Sequence, residues 1–190
     1  MFVIQVVFII ILGLALGSFL NVCIYRIPID ESIAWPPSKC PECKTPIKYY
    51  DNIPLLSYIY LGGKCRNCRS RISIIYPIVE LITGVLVFLT FLKFGLSFTF
   101  FINLFFILTL IVVFFIDLKH KIIPVNGYFF VIIALLRLIE SFFISREGIL
   151  FFATEYIIGG AAGFLLLGLI KLISKPIFRR EALGMGDVYL

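Results

Sequence analysis

Phe2-Val-Ile-Gln-Val-Val-Phe-Ile-Ile-Ile-Leu-Gly-Leu-Ala-Leu-Gly-Ser-Phe-Leu-Asn-Val-Cys-Ile24 carries no charged side chain from end to end. A run of that length spans a hydrocarbon core as a helix, which takes roughly 17–25 residues. Similar apolar runs follow at 78–92, which can start nearer Tyr76, and at 96–116, 128–144 and 149–173. They dominate the composition: 61% of residues are hydrophobic, 15% are charged, and the mean hydropathy is +1.08. That is too apolar for an ordinary soluble domain. Lipid offers no hydrogen-bond partners to the backbone, and the runs are continuous rather than alternating, so the crossings are helices and not barrel strands. The fold class predicted is an all-α integral membrane protein, a multi-span helical bundle. The first run is read as a span and not a secretory signal, because no Lys or Arg precedes it.

Charge orients the chain. With the N-terminus outside, residues 25–76 and the later inner loops hold every Lys and Arg except Lys93 and Arg146, which fall outside, and Arg137, which falls within a span. This matches the positive-inside rule, so the net charge of +6 is assigned to topology and not to nucleic-acid binding. The expected surroundings are a lipid bilayer, with the 25–76 loop in the cytoplasm.

That loop contains Cys40-Pro-Glu-Cys43 and Cys65-Arg-Asn-Cys68. Two C-x-x-C knuckles at this separation bring four thiolates within reach of one tetrahedral ion, the pattern of a structural zinc site formed by Cys40, Cys43, Cys65 and Cys68. Disulfides fit poorly in a reducing compartment. Lys39, Lys44, Lys64, Arg66 and Arg69 flank the knuckles and favour the thiolate form. A loop of this size has too little core to stand alone, so a metal staple is reasonable. Four protein ligands leave no open position, which makes the metal structural. Cys23 lies apart in the first span as a packing residue. Pro36-Pro37 and Gly62-Gly63 are the main local breaks, and no internal repeat is expected.

Few other groups carry chemistry. The single histidine, His120, sits in a basic turn with no evident partner, which disfavours triads and two-histidine metal centres. Asp117 ends the third span, and Asp187 follows the fifth in Gly184-Met-Gly-Asp187. Acids at the mouth of an apolar helix are costly unless solvated, paired or functional. Two carboxylates brought together split their pKa values into an acid and a base able to activate water. Spacing alone leaves open whether they pair, or whether Asp117 is an ordinary helix-end residue and Asp187 a cap.

Several motifs in order resemble a known family. They are Gly17-Ser-Phe-Leu-Asn-Val22 with Arg26-Ile-Pro28, the two knuckles, and Asp51-Asn-Ile-Pro-Leu-Leu-Ser57. Ile72-Ser-Ile-Ile-Tyr-Pro77 with Glu80, the Asp117 segment ending in Ile123-Pro124, and Gly-Met-Gly-Asp187 complete the set. The chain resembles the prepilin leader peptidases of type IV pilus and type II secretion systems, which are also N-methyltransferases. The resemblance implies an aspartic membrane protease of the G-x-G-D kind with Asp117 and Asp187 as its catalytic pair. It implies cleavage of prepilins or pseudopilins after a glycine on the cytoplasmic side, then methylation of the new N-terminus with S-adenosylmethionine. The methyl step is associated with the cysteine loop; Asp51 and Glu80 are the candidate cofactor-binding acids, and each is equally open to a capping or pairing role. The domain organisation expected is a first span at 1–24, a zinc-binding, methyltransferase-associated domain at 25–76, and a membrane peptidase domain at 77–190, read as truncated at its C-terminus because only Val188, Tyr189 and Leu190 follow Asp187. Two other classes are weighed beside the enzyme. One is a non-enzymatic scaffold whose zinc loop recognises a partner. The other is a transporter using Arg137, Glu140 and Glu155, against which Arg137 and Glu140 stand close enough to pair on one helix.

Overall fold

Residues 2–121, 128–143, 154, 157–162 and 165 are described by the computed structural model of the chain. In chain order the helices are α1 (Phe2–Arg26), α2 (Leu56–Tyr60), α3 (Ile75–Phe94), α4 (Phe98–His120) and α5 (Tyr128–Phe143), with short 3₁₀ turns at Ile27–Ile29 and Tyr49–Asn52. No strand occurs among the described residues; extended pairing is limited to two isolated bridges, Lys39 with Pro46 and Lys64 with Arg71. The all-helical membrane architecture read from the sequence is therefore the one observed.

Among the described residues three helices are long and apolar enough to cross a membrane: Phe2–Ile29, Ile75–Phe94 and Phe98–His120. The second starts earlier than its hydropathy suggests, because Ile75, Tyr76 and Pro77 already belong to the helix, and proline is tolerated in a first turn where its missing N–H has no partner to lose. The third runs past Ile116, so Asp117 lies inside the last turn of α4 and not beyond it. Polar residues there keep the helical hydrogen bonds until Lys121 takes a left-handed conformation (φ 57°) and its N–H closes on the Asp117 carbonyl at 2.8 Å. At the other end, α3 stops at Gly95 (φ 60°), and Ser97 caps α4 by accepting the Phe100 N–H at 3.2 Å.

Residues up to Pro124 form one compact unit and the remainder a second. In the first, α1 and α3 pack backbone against backbone. A Cβ on Gly13 would lie 3.0 Å from the Gly84 Cα, and one on Gly17 would lie 2.7 Å from the Glu80 Cα. Close approach through small residues is how helices associate where lipid removes the hydrophobic drive between them. At one end of the bundle Ile9, Val87, Phe91 and Phe100 form a cluster. At the other, Leu20, Cys23, Ile24, Val79, Ile111, Val112 and Ile116 pack together. Asn21 joins α1 to α3 there, its Nδ2 donating to the Tyr76 carbonyl at 3.0 Å. Cys23 is thus a buried packing residue. In the second unit, Arg137 and Glu140 form an ion pair of 2.7 Å along α5. Glu155 lies outside the described residues.

Candidate functional site

Between α1 and α3 the chain builds a small module with almost no interior. Across residues 31–74 only Cys40 is buried. Apolar burial therefore does not hold this module; directed bonds do.

Its frame is a repeat that the sequence reading missed. Ser38-Lys-Cys-Pro-Glu-Cys-Lys-Thr-Pro-Ile47 and Gly63-Lys-Cys-Arg-Asn-Cys-Arg-Ser-Arg-Ile72 fold alike. The Cys40 N–H meets the Thr45 carbonyl at 2.9 Å, as the Cys65 N–H meets that of Ser70 at 2.8 Å. The Lys44 N–H returns to the Cys40 carbonyl at 2.9 Å and the Arg69 N–H to that of Cys65 at 3.1 Å. Ile47 and Ile72 close the two knuckles on Ser38 and Gly63. Lys44 (φ 59°) and Arg69 (φ 60°) take the same left-handed turn. The repeat was readable in the shared K-C-x-x-C-[K/R]-[T/S]-x-I pattern, but it is too short to register as a repeat by composition.

The two knuckles bring the Sγ atoms of Cys40, Cys43, Cys65 and Cys68 within 4.8 Å of one another. Cys40 and Cys68 stand 3.8 Å apart. Tetrahedral zinc with Zn–S bonds of about 2.3 Å needs sulfurs separated by roughly 3.8 Å, so the donor set fits that ion in both chemistry and size. Polar groups turn toward the sulfurs. The Thr45 side chain, followed by its backbone and the Asn67 amide, holds the Cys43 thiol down to about 6. The Cys43 backbone lowers Cys40 against the opposing effect of burial. Such donors stabilise the thiolates a metal requires.

The module is fastened to the membrane helices at separate points. Arg26, buried at the end of α1, donates from Nη1 to the Ser32 carbonyl and from Nη2 to that of Pro36, both at 2.7 Å. Glu80, buried in α3 with 8% of its surface exposed, accepts the Leu55 N–H through Oε2 at 2.8 Å. Asp51 ties the module internally: Arg66 donates from Nη2 and Nε to the carboxylate at 2.6–3.1 Å, and the guanidinium also lies over the Tyr50 and Tyr60 rings. This forked pair holds the Asp51 carboxyl below its ordinary value.

The fastened module roofs a cleft of about 520 Å³. Ser18, Asn21 and Tyr25 of α1, Tyr76 and Glu80 of α3, and Asp51 of the module all face it. Small-molecule sites occupy about 300–1,000 Å³ and combine apolar walls with a few fixed polar groups, and the volume and lining of this cleft fall within that description. The two acids named from the sequence as cofactor-site candidates, Asp51 and Glu80, both line the cleft, but they differ in state. Asp51 is engaged by Arg66, whereas Glu80 holds a backbone amide. Asn21, Arg26 and Leu55 were not given roles from the sequence. Asn21 and Arg26 were detectable as polar residues in an apolar helix; nothing in the sequence marks Leu55.

Asp117 is exposed in the last turn of α4, at the same end of the three-helix bundle as the module. The neighbouring Lys119 ammonium sits 5.4 Å above the Tyr25 ring of α1. His120 buries its Nε2 with no hydrogen-bond partner among the described residues. Asp187 lies outside the described residues.

A model of the bacterial peptidase A24 N-terminal domain matches residues 11–94, and a model of the type IV leader peptidase family matches residues 104–190. The chain is 40% identical to the prepilin leader peptidase/N-methyltransferase of Myxococcus xanthus, over 97% of its own length and 53% of the relative's. It is 36% identical to that of Bacillus subtilis, over 95% of the chain and 68% of the relative. With that of Neisseria gonorrhoeae it shares 32% identity, over 95% of the chain and 69% of the relative. The chain thus spans about half the length of the Myxococcus relative and about two thirds of the other two. No solved structure matches.

Proposed function

The chain belongs to the prepilin leader peptidase/N-methyltransferase family, and from that premise we propose that it removes the basic leader from type IV prepilins or pseudopilins after a glycine on the cytoplasmic side, then methylates the new N-terminus. The observation that carries this reading is the position of Asp117, at the same end of the bundle as the cysteine module. A prepilin carries an apolar helix with its basic leader just beyond it, so cutting and methylation must both occur at one membrane edge.

In this reading Asp117 and Asp187 form the catalytic pair. Two carboxylates sharing one proton supply a base that takes a proton from water and an acid that protonates the leaving amine. The Lys and Arg of the module, with Lys119 and Lys121, give that edge the positive charge expected of the cytoplasmic side of an inner membrane. Cys40, Cys43, Cys65 and Cys68 would hold zinc in a structural role, fixing the module's shape. S-adenosylmethionine, when bound, supplies an electrophilic methyl group. The chain's own contribution is the cleft, which excludes water, brings the new amine into line and bears Asp51 and Glu80 as the candidate acids of the cofactor site.

The test is a cleavage assay in proteoliposomes with a purified prepilin, comparing this chain with Asp117→Asn and Asp187→Asn. Loss of cutting in both variants is expected. Equal cutting by all three removes the aspartic mechanism. If no form cuts or methylates while replacement of the cysteines abolishes partner binding, the protein is instead a scaffold.

A further inference from the structure

The least comfortable backbone in the module is bonded to a buried acid of α3. Leu55 has φ 59° and ψ −47°, and the Leu56 N–H reaches back to the Pro54 carbonyl at 2.6 Å. That is a γ-turn of the rare positive-φ kind, which a side chain with a Cβ resists and glycine would accept. Backbone held in such a conformation persists only where its surroundings impose it. The Leu55 carbonyl accepts the Ile59 N–H at 3.0 Å and the Ser57 N–H and hydroxyl both donate to the Ile53 carbonyl, but the contact that ties the turn to the membrane helices is the Leu55 N–H, directed at Glu80 Oε2 2.8 Å away.

Glu80 is set in place for this. α3 meets α1 at Glu80, where the absence of a Cβ on Gly17 lets the two backbones touch. A carboxylate buried this deeply is costly unless it is bonded, and the turn supplies a donor. The segment it holds, residues 51–57, brings Asp51, Asn52 and Ser57 to the wall of the cleft. The same segment is tied at its other end by Asp51 to Arg66, next to the ligand Cys65. One carboxylate joins the strap to the metal knuckle and the other joins it to the membrane helix.

We propose that Glu80 is a positioning residue, which by holding the γ-turn at Leu55 latches residues 51–57 across the cleft and so shapes the pocket for the sulfonium methyl donor. The latch rests on the methyltransferase reading only for the identity of that ligand. It assigns Glu80 no part in the proton or methyl transfer itself, and it leaves leader cleavage at the aspartates untouched.

The experiment uses the full chain in lipid nanodiscs with Glu80→Gln, Glu80→Ala, Leu55→Gly and the Glu80→Ala/Leu55→Gly double variant. Amide hydrogen exchange over residues 53–57, S-adenosylmethionine binding by titration, KM and kcat for methylation, and prepilin cleavage are measured on each. Glu80→Ala should speed exchange in the strap and weaken donor binding about ten-fold or more, the scale of one lost hydrogen bond to a charged group, with the effect in KM. Cleavage should stay within about two-fold of wild type, which also shows that the variant is folded. The Glu80→Gln carbonyl can still accept the Leu55 N–H, so this variant should keep residues 53–57 protected from exchange as in wild type. Leu55→Gly removes the cost of the turn and should restore most of what Glu80→Ala loses. Unchanged exchange in Glu80→Ala overturns the latch. So does a Glu80→Gln variant that keeps the strap protected yet weakens donor binding as severely as the alanine form, because the charge itself is then at work. If the wild-type chain neither binds nor uses the donor, the methyltransferase reading fails, while exchange at residues 53–57 still decides the latch on its own.

Discussion

Gly17 and Asp51 do opposite work for the same cleft, one by lacking a side chain and the other by spending one. At Gly17 a Cβ would meet the Glu80 Cα at 2.7 Å and the Thr83 Cβ at 3.1 Å. Both are close against backbone or a branched side chain that cannot swing aside. Gly17→Ala should therefore push α1 from α3 and destabilise the bundle by about 1–3 kcal/mol, read as a lower thermal midpoint in detergent. Asp51 predicts a pH signature. Its folded pKa lies below the ordinary 3.8 because Arg66 bonds to the carboxylate. The pair's contribution is then complete above the unfolded value and is lost only as pH falls through the lower folded one. The difference in amide protection at Tyr49–Asn52 between wild type and Asp51→Asn should stay constant from pH 7 to about pH 5 and narrow only below the unfolded carboxyl value. A difference that already vanishes near pH 5 would mean that Arg66 does not hold Asp51 in solution. The sequence made Asp51 and Glu80 visible as acids beside the cysteine loop. It left pairing or cofactor roles equally open for both, because whether a carboxylate is occupied depends on Arg66 and Leu55 arriving from elsewhere in the fold.

At the scale of elements, the long helices were legible and their ends were less so. Apolar continuity alone identifies α1, α3 and α4, since lipid leaves the backbone no alternative. Asp117 lies in the last turn of α4, at the end of its span, and the helical hydrogen bonds run on to Lys121 beyond the point where hydropathy falls. The cysteine module shows the reverse pattern: its ligands are explicit in the sequence, but its doubled knuckle emerges only from matching carbonyl and N–H partners. With Cys40 as its one buried residue across 31–74, the module should depend on metal far more than the helices do. Stripping the ion with a strong chelator, or replacing Cys65 with serine, should collapse amide protection over residues 38–72 while helical circular dichroism stays nearly unchanged. Loss of helicity in step with the metal would show instead that the bundle needs the module to fold. A module that stays protected without metal would remove zinc from the account.

For the whole molecule, the decisive question is which side of the membrane holds the module. α1 runs toward it, α3 away from it and α4 back again, so Asp117 and the four cysteines share one end while Lys93 and the Gly95–Ser97 turn occupy the other. The proposed function puts that end in the cytoplasm, the side that the bias of Lys and Arg toward the module's end favours. The assignment can be checked without any activity. Leu96 is exposed in the far turn, and Cys23 is buried within α1. In intact cells a membrane-impermeant maleimide should label a Leu96→Cys variant and leave the native cysteines unmodified until the cells are opened and the metal removed. Labelling of the native cysteines in intact cells, with Leu96→Cys protected, would reverse the orientation. It would also put Asp117 across the membrane from the basic leader it is proposed to cut. The protease and methyltransferase assignments would then fail together, since both depend on this one edge facing the side where a prepilin displays its leader.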